Sequence, residues 1–418
     1  MTKHMPIVYP SIIVLTAGLA AANPLIDEIC ETIRENYVFP DVADHTADHI
    51  GERNRAGAYE GLDGRDLAAA LTRDLQAFTK DRHFNATALP EGWTPPASDE
   101  ERTAPDPKAM APWGVHKVER LPGNVGYLDL RGFLPAPFAS EAIVSAVRLL
   151  QGSSAVVLDL RRNGGGDPES VRILCSYFFD PATPVHLNSL YFRPTDETRE
   201  FWTGPEFPDL AMPQVPLYVL TSAFTFSGGE ECAYNFRTRE RATLIGETTG
   251  GGAHPVGGFL IGNRIDLRVP TGRAINPVTN TNWEGVGVEP HVKVPAADAL
   301  DTALDAIYTR LAEAGDERGR WGLLQITAKR GGVTAEPGTL RRLAGTYTDR
   351  EFELRDDRLV YRRIGAPSWR PLVQAGEHIF IIEGVDDFRF EFQYDADGEV
   401  TGVEGVYMQG GRDRSARS

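Results

Sequence analysis

Ser227 stands in the run Thr225-Phe226-Ser227-Gly228-Gly229-Glu230, between the apolar stretch Leu217-Tyr218-Val219-Leu220 and a helical stretch that continues to Phe236. A serine at a strand-to-helix junction meets the unpaired N–H groups and the positive end of the helix, which together can hold an oxyanion forming on an attacked carbonyl. The same place suits a serine that only caps a helix, so residue type leaves nucleophile and cap both open. It is not the Gly-x-Ser-x-Gly elbow, because Thr225 lies two residues before the serine.

A second junction of the same kind is Asp159-Leu160-Arg161-Arg162-Asn163-Gly164-Gly165-Gly166, which follows an apolar strand from Ala155 and precedes a helix. Three glycines let a backbone approach a ligand closely. A nucleotide phosphate loop would continue with Gly-Lys-Ser/Thr, which is missing, while a plain flexible turn stays open beside a ligand-binding loop.

These junctions need a layered scaffold, and the chain has the pattern for one. Short apolar strands alternate with helical stretches from Gly123 to Ile307, including Val125 to Leu130, Glu141 to Leu150, Glu169 to Phe178 and Leu244 to Gly246. That alternation predicts an α/β core, assigned to residues 116–312. Ahead of it, Leu25, Ile26, Ile29 and Ile33, then Leu67, Leu71, Leu75 and Phe78, recur at helical spacing and predict a helical N-terminal domain over 24–85. Residues 86–115 are rich in Pro and read as a linker. Charged, Gly-containing stretches at 313–320 and 329–337 lead to short β runs separated by Asp and Gly turns, which predict a small β domain over 338–410.

A chain of 418 residues calls for two or three domains. With a net charge of −16 and no basic face, a nucleic-acid partner is excluded. Three cysteines without a CxxC pair write neither a disulfide framework nor a cysteine zinc site, and no metal or other cofactor is called for. Residues 1–22 hold an apolar run ending in Ala20-Ala21-Ala22, which fits either a signal peptide or an extra N-terminal strand. Export to the periplasm or exterior and a cytoplasmic location both stay open, and no integral membrane segment beyond that run is expected.

Four segments in order carry a resemblance: Asp159 to Gly166, Thr221 to Glu230, Gly246-Glu247-Thr248-Thr249-Gly250-Gly251-Gly252, and Glu284-Gly285-Val286-Gly287-Val288-Glu289-Pro290. Together they resemble the tail-specific (C-terminal processing) serine peptidases, and more closely the branch of the tricorn core protease and interphotoreceptor retinoid-binding protein. The likeness runs over about residues 25–307. It implies a crotonase-like (ClpP-like) core of ββα units and hydrolysis of peptide bonds in a peptide or unfolded protein, with a homo-oligomer allowed.

The resemblance also implies roles. Ser227 becomes the nucleophile, and because Gly252 stands where the processing enzymes carry a lysine, a Ser-Lys dyad is not expected. The matching base is His83 in Lys80-Asp81-Arg82-His83-Phe84, with His254 as the alternative, and the matching carboxylate is Glu284, with Glu289 as a weaker substitute. Gly228 and Gly165 would donate the oxyanion hole, and Gly164, Gly166 and Gly251 would contact substrate. Two departures stand out: Arg82 replaces the serine that precedes the tricorn histidine, and no PDZ-like segment is evident. Two other readings follow from the same fold, a non-catalytic carrier of a lipid or retinoid-like ligand and a hydrolase or acyl transferase on small peptide-like or ester substrates. A carrier has no need of Ser227, His83 and Glu284 together.

Overall fold

The structure is a computed structural model that describes residues 23–94, 114–333 and 337–418. The apolar run of 1–22 and residues 95–113 of the expected linker lie outside the described residues. The fold is mixed α/β, and the chain divides into two interleaved units. Unit one comprises Met1–Pro105, Ser189–Arg199 and Gly252–Ile275, and unit two the remainder.

Unit one opens with α1 (Pro24–Asn36), α2 (Pro40–Arg55) and α3 (Gly64–Thr79). Proline at the first position of α1 and α2 costs no hydrogen bond there, and the Asn23 side chain caps α1 by accepting the Leu25 N–H at 3.1 Å. Ile26, Ile29 and Ile33 on α1 and Leu67, Leu71 and Leu75 on α3 form the buried stripes. The helices do not close a core alone. An antiparallel sheet in the order β1 (Asn85–Ala88), β10 (Ile265–Pro270), β9 (Val256–Ile261) supplies Ile261, Ile265, Leu267 and Val269 to the same buried cluster as Ile26, Leu71 and Phe84. In the same unit β11 (Gly272–Ile275) pairs with the Ser189 to Phe192 part of β5 (His186–Phe192), which β6 (Glu197–Trp202) follows. The helical segment of 24–85 is thus one part of an α/β unit, completed by strands from far along the chain.

Unit two is built on a six-stranded sheet in the order β12 (Val292–Lys293), β8 (Thr243–Gly246), β7 (Leu217–Thr221), β4 (Ala155–Asp159), β3 (Val125–Leu130), β2 (Val115–Leu121). All neighbours are parallel except β2 with β3. β3 and β4 are buried at every position, which is why their sequences are largely apolar rather than alternating, with the carboxylates Asp129 and Asp159 near their carboxyl ends. Helices α4 (Ala136–Leu150), α5 (Pro168–Ser176) and α6 (Gly228–Thr238) follow β3, β4 and β7. Because β4 and β7 are parallel neighbours, the loops that leave their carboxyl ends emerge on the same edge of the sheet.

The core does not stop at 312. Residues 313–320, expected as part of a connecting stretch, belong to a helical hairpin of α7 (Ala299–Glu313) and α8 (Glu317–Lys329). Ile307, Tyr308 and Ile326 of this hairpin share a buried cluster with Val125, Val157 and Leu220 of the sheet. The glycines of α8 let the two helices touch: a Cβ on Gly322 would lie 2.4 Å from the Tyr308 ring, and one on Gly319 would lie 2.4 Å from the Ala312 nitrogen.

After α9 (Pro337–Leu343) the chain forms eight consecutive antiparallel strands. They are β13 (Gly345–Tyr347), β14 (Arg350–Arg355), β15 (Arg358–Arg363), β16 (Arg370–Gln374), β17 (Ile379–Ile382), β18 (Phe388–Tyr394), β19 (Val400–Tyr407) and β20 (Arg412–Ala416). The Thr348 N–H donates to the Ala416 carbonyl at 3.0 Å and the Ser418 N–H to the Thr346 carbonyl at 2.9 Å, so the last strand returns to the first. The enclosed side is packed with Tyr347, Phe352, Phe380, Phe390 and Phe392.

The hairpin's place in the unit-one core has a measurable consequence. Leu267 is fully buried, and Leu267→Ala is expected to cost roughly 2–5 kcal/mol of unfolding free energy in a urea titration followed by circular dichroism. A loss under about 0.5 kcal/mol, the range of an exposed substitution, would contradict that place.

Candidate active site

Ser227 sits where β7 gives way to α6, with φ 50° and ψ −121°. An ordinary N-cap residue has extended backbone angles. A non-glycine residue at these angles is strained and persists only where its surroundings impose them. The preceding turn does impose them: Thr225 Oγ1 donates to the Leu160 carbonyl at 2.8 Å and accepts the Ser222 N–H at 3.0 Å, and the Phe226 N–H donates to the Asn163 carbonyl at 3.0 Å.

Asn163 joins this elbow to the glycine loop. Its buried Nδ2 donates to the Leu130 carbonyl at 3.0 Å, and its Oδ1 accepts the Gly165 N–H at 2.8 Å. Gly165 is therefore not the second oxyanion donor, because its N–H is already taken. Its conformation, φ 101°, and the 2.7 Å that would separate a Cβ there from the Ser227 Cβ explain why glycine is needed. The next residue fits better. Gly166 is exposed, and its nitrogen lies 3.0 Å from where a Cβ on Gly228 would stand. Neither the Gly166 nor the Gly228 N–H has a hydrogen-bond partner among the described residues. The charged members of the motif are structural: Asp159 holds Arg161 at 2.6 Å and the Tyr127 hydroxyl at 2.6 Å, and Arg162 reaches Asp129 at 2.9 Å.

Glu230, one turn into α6 and fully buried, ties three motifs together. Its Oε2 accepts the Ser227 N–H at 2.9 Å, while Oε1 accepts the Thr249 hydroxyl at 2.5 Å and the Gly251 N–H at 2.6 Å. The Gly251 carbonyl in turn accepts the Gly285 N–H at 3.0 Å. With both backbone groups of Gly251 engaged inside the unit, its expected contact with substrate is replaced by a structural role. Glu284 is half-buried in the turn that Gly285 and Gly287 make possible at φ 70° and 73°, beside buried Trp283, whose ring lies 5.2 Å from that of Tyr234 on α6. Glu289, the weaker substitute, is exposed and paired with Lys293.

His83 and His254 belong to unit one. Lys80 ends α3 in the left-handed conformation, φ 62°, turning the chain so that Asp81 is buried and Phe84 enters the core. His254 Nδ1 lies 2.6 Å from Asp81 Oδ2, and His83 Nδ1 lies 3.8 Å from Asp81 Oδ1. Burial lowers the His83 pKa to about 4, with Asp81 opposing the fall and His254 and Arg82 adding to it, so the ring is neutral at pH 7. Phe133 is core, its backbone bridging to Gly166, whereas Phe138 is exposed and Tyr191 packs on the unit-one core.

Sequence reasoning assigned no role to Asn163, Glu230 and Asp81, although they sit inside the quoted motifs. It also missed Glu231. Burial pushes this carboxyl up to about 8, Asp167 adds to the rise, and the amides of Asn188 and Asn235 beside it pull the other way. All three cysteines are free and buried, Cys175 and Cys232 with their sulfurs 3.9 Å apart.

Two family models match segments of this chain. The model of peptidase family S41 matches residues 124–294, and that of the N-terminal domain of peptidase S41 in eukaryotic IRBP matches residues 12–121. Among solved structures, a putative peptidase from Parabacteroides merdae is 17% identical, covering 68% of this chain and 95% of that one with a TM-score of 0.50, a likeness of fold. The photosystem II D1 C-terminal processing protease is 16% identical over 65% of this chain and 92% of its own, TM-score 0.40. The tricorn protease is 14% identical over 71% of this chain and 36% of its own, TM-score 0.45.

A carboxyl whose folded pKa is raised from 4.5 to about 8 contributes stability below pH 4.5 and loses it as pH rises toward 8. Glu231→Gln should therefore gain on wild type between those limits, by on the order of 3 kcal/mol at pH 7.5 and far less at pH 5. Urea midpoints at the two pH values measure this, and an equal difference at both would show that Glu231 is not held protonated.

Proposed function

The chain belongs to peptidase family S41, a family of serine peptidases, and we propose that it hydrolyses peptide bonds through an acyl-enzyme on Ser227 with His83 as the base. The observation that carries this reading is the backbone of Ser227. A helix cap has no need of φ 50°, while a nucleophile that must project its oxygen from a strand-to-helix turn does.

In the proposed reaction Ser227 Oγ attacks the scissile carbonyl carbon and its proton passes to the neutral His83 ring. The oxyanion of the tetrahedral intermediate is held by the N–H groups of Gly228 and Gly166, each such donor contributing about 3 kcal/mol to transition-state stabilisation in acyl transfer. Collapse of the intermediate returns the proton from His83 to the leaving amine. Water then repeats the sequence on the ester, releasing the second product and restoring Ser227 Oγ–H. Glu284 is assigned to orient the polar groups of this site. Gly252 in place of a lysine supports a tricorn-like base over a Ser-Lys dyad. The run β2, β3, α4, β4, α5 supports a crotonase-like description of the core. The carrier reading accounts for none of the strain at Ser227.

A fluorophosphonate probe reports an activated serine without a known substrate. One adduct per chain on wild type is expected, none on Ser227→Ala, and labelling slowed roughly 100-fold or more on His83→Ala. Because the base must be neutral, the labelling rate should hold from pH 8 downward and fall as pH approaches about 4. Folded wild type that stays unlabelled through long exposure would turn the assignment toward ligand binding.

A further inference from the structure

Asp81 was a spacer between Lys80 and His83 in the sequence motif, yet it is among the most buried carboxylates of unit one, 2% exposed. Its Oδ1 accepts the backbone N–H of His83 at 3.0 Å. Its Oδ2 accepts from His254 Nδ1 at 2.6 Å and is faced by the Tyr37 hydroxyl at 3.4 Å. A carboxylate can only accept, so the contact fixes the proton of His254 on Nδ1. The His254 ring is itself held in place. It is 4% exposed, meets Phe39 edge-on at 5.5 Å, and lies in a segment pinned by the Ala274 N–H to the Ala253 carbonyl at 3.2 Å and the Thr271 N–H to the Pro255 carbonyl at 2.9 Å.

Two imidazoles thus share one buried carboxylate on unequal terms. His254 is hydrogen-bonded to it, whereas the ring of His83 stands 3.8 Å away with only its backbone tied to the same group. A histidine that must swing between taking and returning a proton gains from a fixed anion beside it, because the imidazolium formed in each half-reaction is then stabilised in a medium of low dielectric. A fixed anion in turn needs donors that do not compete for the proton in transit. His254 and Tyr37 meet that need.

We propose that Asp81 and His254 form a positioning pair for His83, in which His254 anchors the Asp81 carboxylate and Asp81 stabilises the protonated His83 ring during acyl transfer. It rests on the reading of His83 as base. The charged and titratable groups facing His83 within unit one are Asp81, which favours its protonation, and Arg82 and His254, which oppose it, with the Tyr37 phenol on the far side of Asp81.

The test uses the full chain. The His83 ring is followed by NMR, and fluorophosphonate labelling is measured at pH 7.5, for wild type, Asp81→Asn, His254→Leu and His254→Asn. At pH 4 the wild-type ring is about half protonated, and loss of the adjacent charge should leave roughly a tenth protonated in Asp81→Asn. Labelling should slow roughly tenfold or more in Asp81→Asn and in His254→Leu, the effect of one lost hydrogen bond to a charged group. His254→Asn places an amide N–H where Nδ1–H was and should recover most of the rate.

An unchanged His83 titration in Asp81→Asn would overturn the proposal. So would His254→Asn as slow as His254→Leu, which would make His254 itself the proton carrier. Should Asp81→Asn fail to fold, the two His254 variants decide by the same recovery. A His83→Ala protein that labels as fast as wild type would refute the base assignment, and the titration would still report separately on the pair.

Discussion

Holding Ser227 at φ 50° places its β-carbon against its own backbone, a strain on the order of 1–3 kcal/mol that the surroundings must offset. The polar groups around the serine in unit two are arranged to do so. Thr225 and Asn163 clamp the approach to the serine, Glu230 accepts its N–H from inside α6, and the glycine at 165 gives the loop room to pass within contact distance of the Ser227 side chain. The same bonds orient what the site needs. With the Gly165 N–H turned to Asn163 and the Ser227 N–H turned to Glu230, the N–H groups of Gly228 and Gly166 are left without partners among the described residues.

Glu230 extends the constraint outward. Through Thr249 and Gly251 it fixes the third motif, and through the Gly251 carbonyl it reaches the Glu284 turn. A buried carboxylate costs a good deal to desolvate and is tolerated because it accepts from three donors here. Burial pushes the carboxyl of its neighbour Glu231 up to about 8, against the pull of the Asn188 and Asn235 amides.

What the sequence made legible follows from what repeats along it. Buried parallel strands are largely apolar on both faces, so β3, β4 and β7 were plain, and the two loops after β4 and β7 could be singled out by glycine and serine content. Hydrogen-bond direction is a different matter. Nothing in Asn163-Gly164-Gly165-Gly166 says that the Asn163 amide will take the Gly165 N–H and leave Gly166, or that Glu230 will take Gly251. The unit-one core escaped because Ile261, Ile265, Leu267 and Val269 complete it from far along the chain, and no local period connects them to α1 or α3. Residues 313–320 were read as connection because they are charged and contain glycine, although at Gly319 and Gly322 the lack of a side chain is what lets α8 pack on α7. Asp81 escaped because its value lies in the histidine brought to it from 173 residues further on.

Covalent catalysis at Ser227 is tested most directly by rapid mixing with an activated peptide ester, acid quench and mass analysis. The leaving group should appear in a burst of about one equivalent per chain, with the acyl mass on the peptide that carries Ser227, and both should vanish in Ser227→Ala. Release that is linear from the first time point, with no acyl adduct and undiminished in Ser227→Ala, would contradict a serine nucleophile at this position.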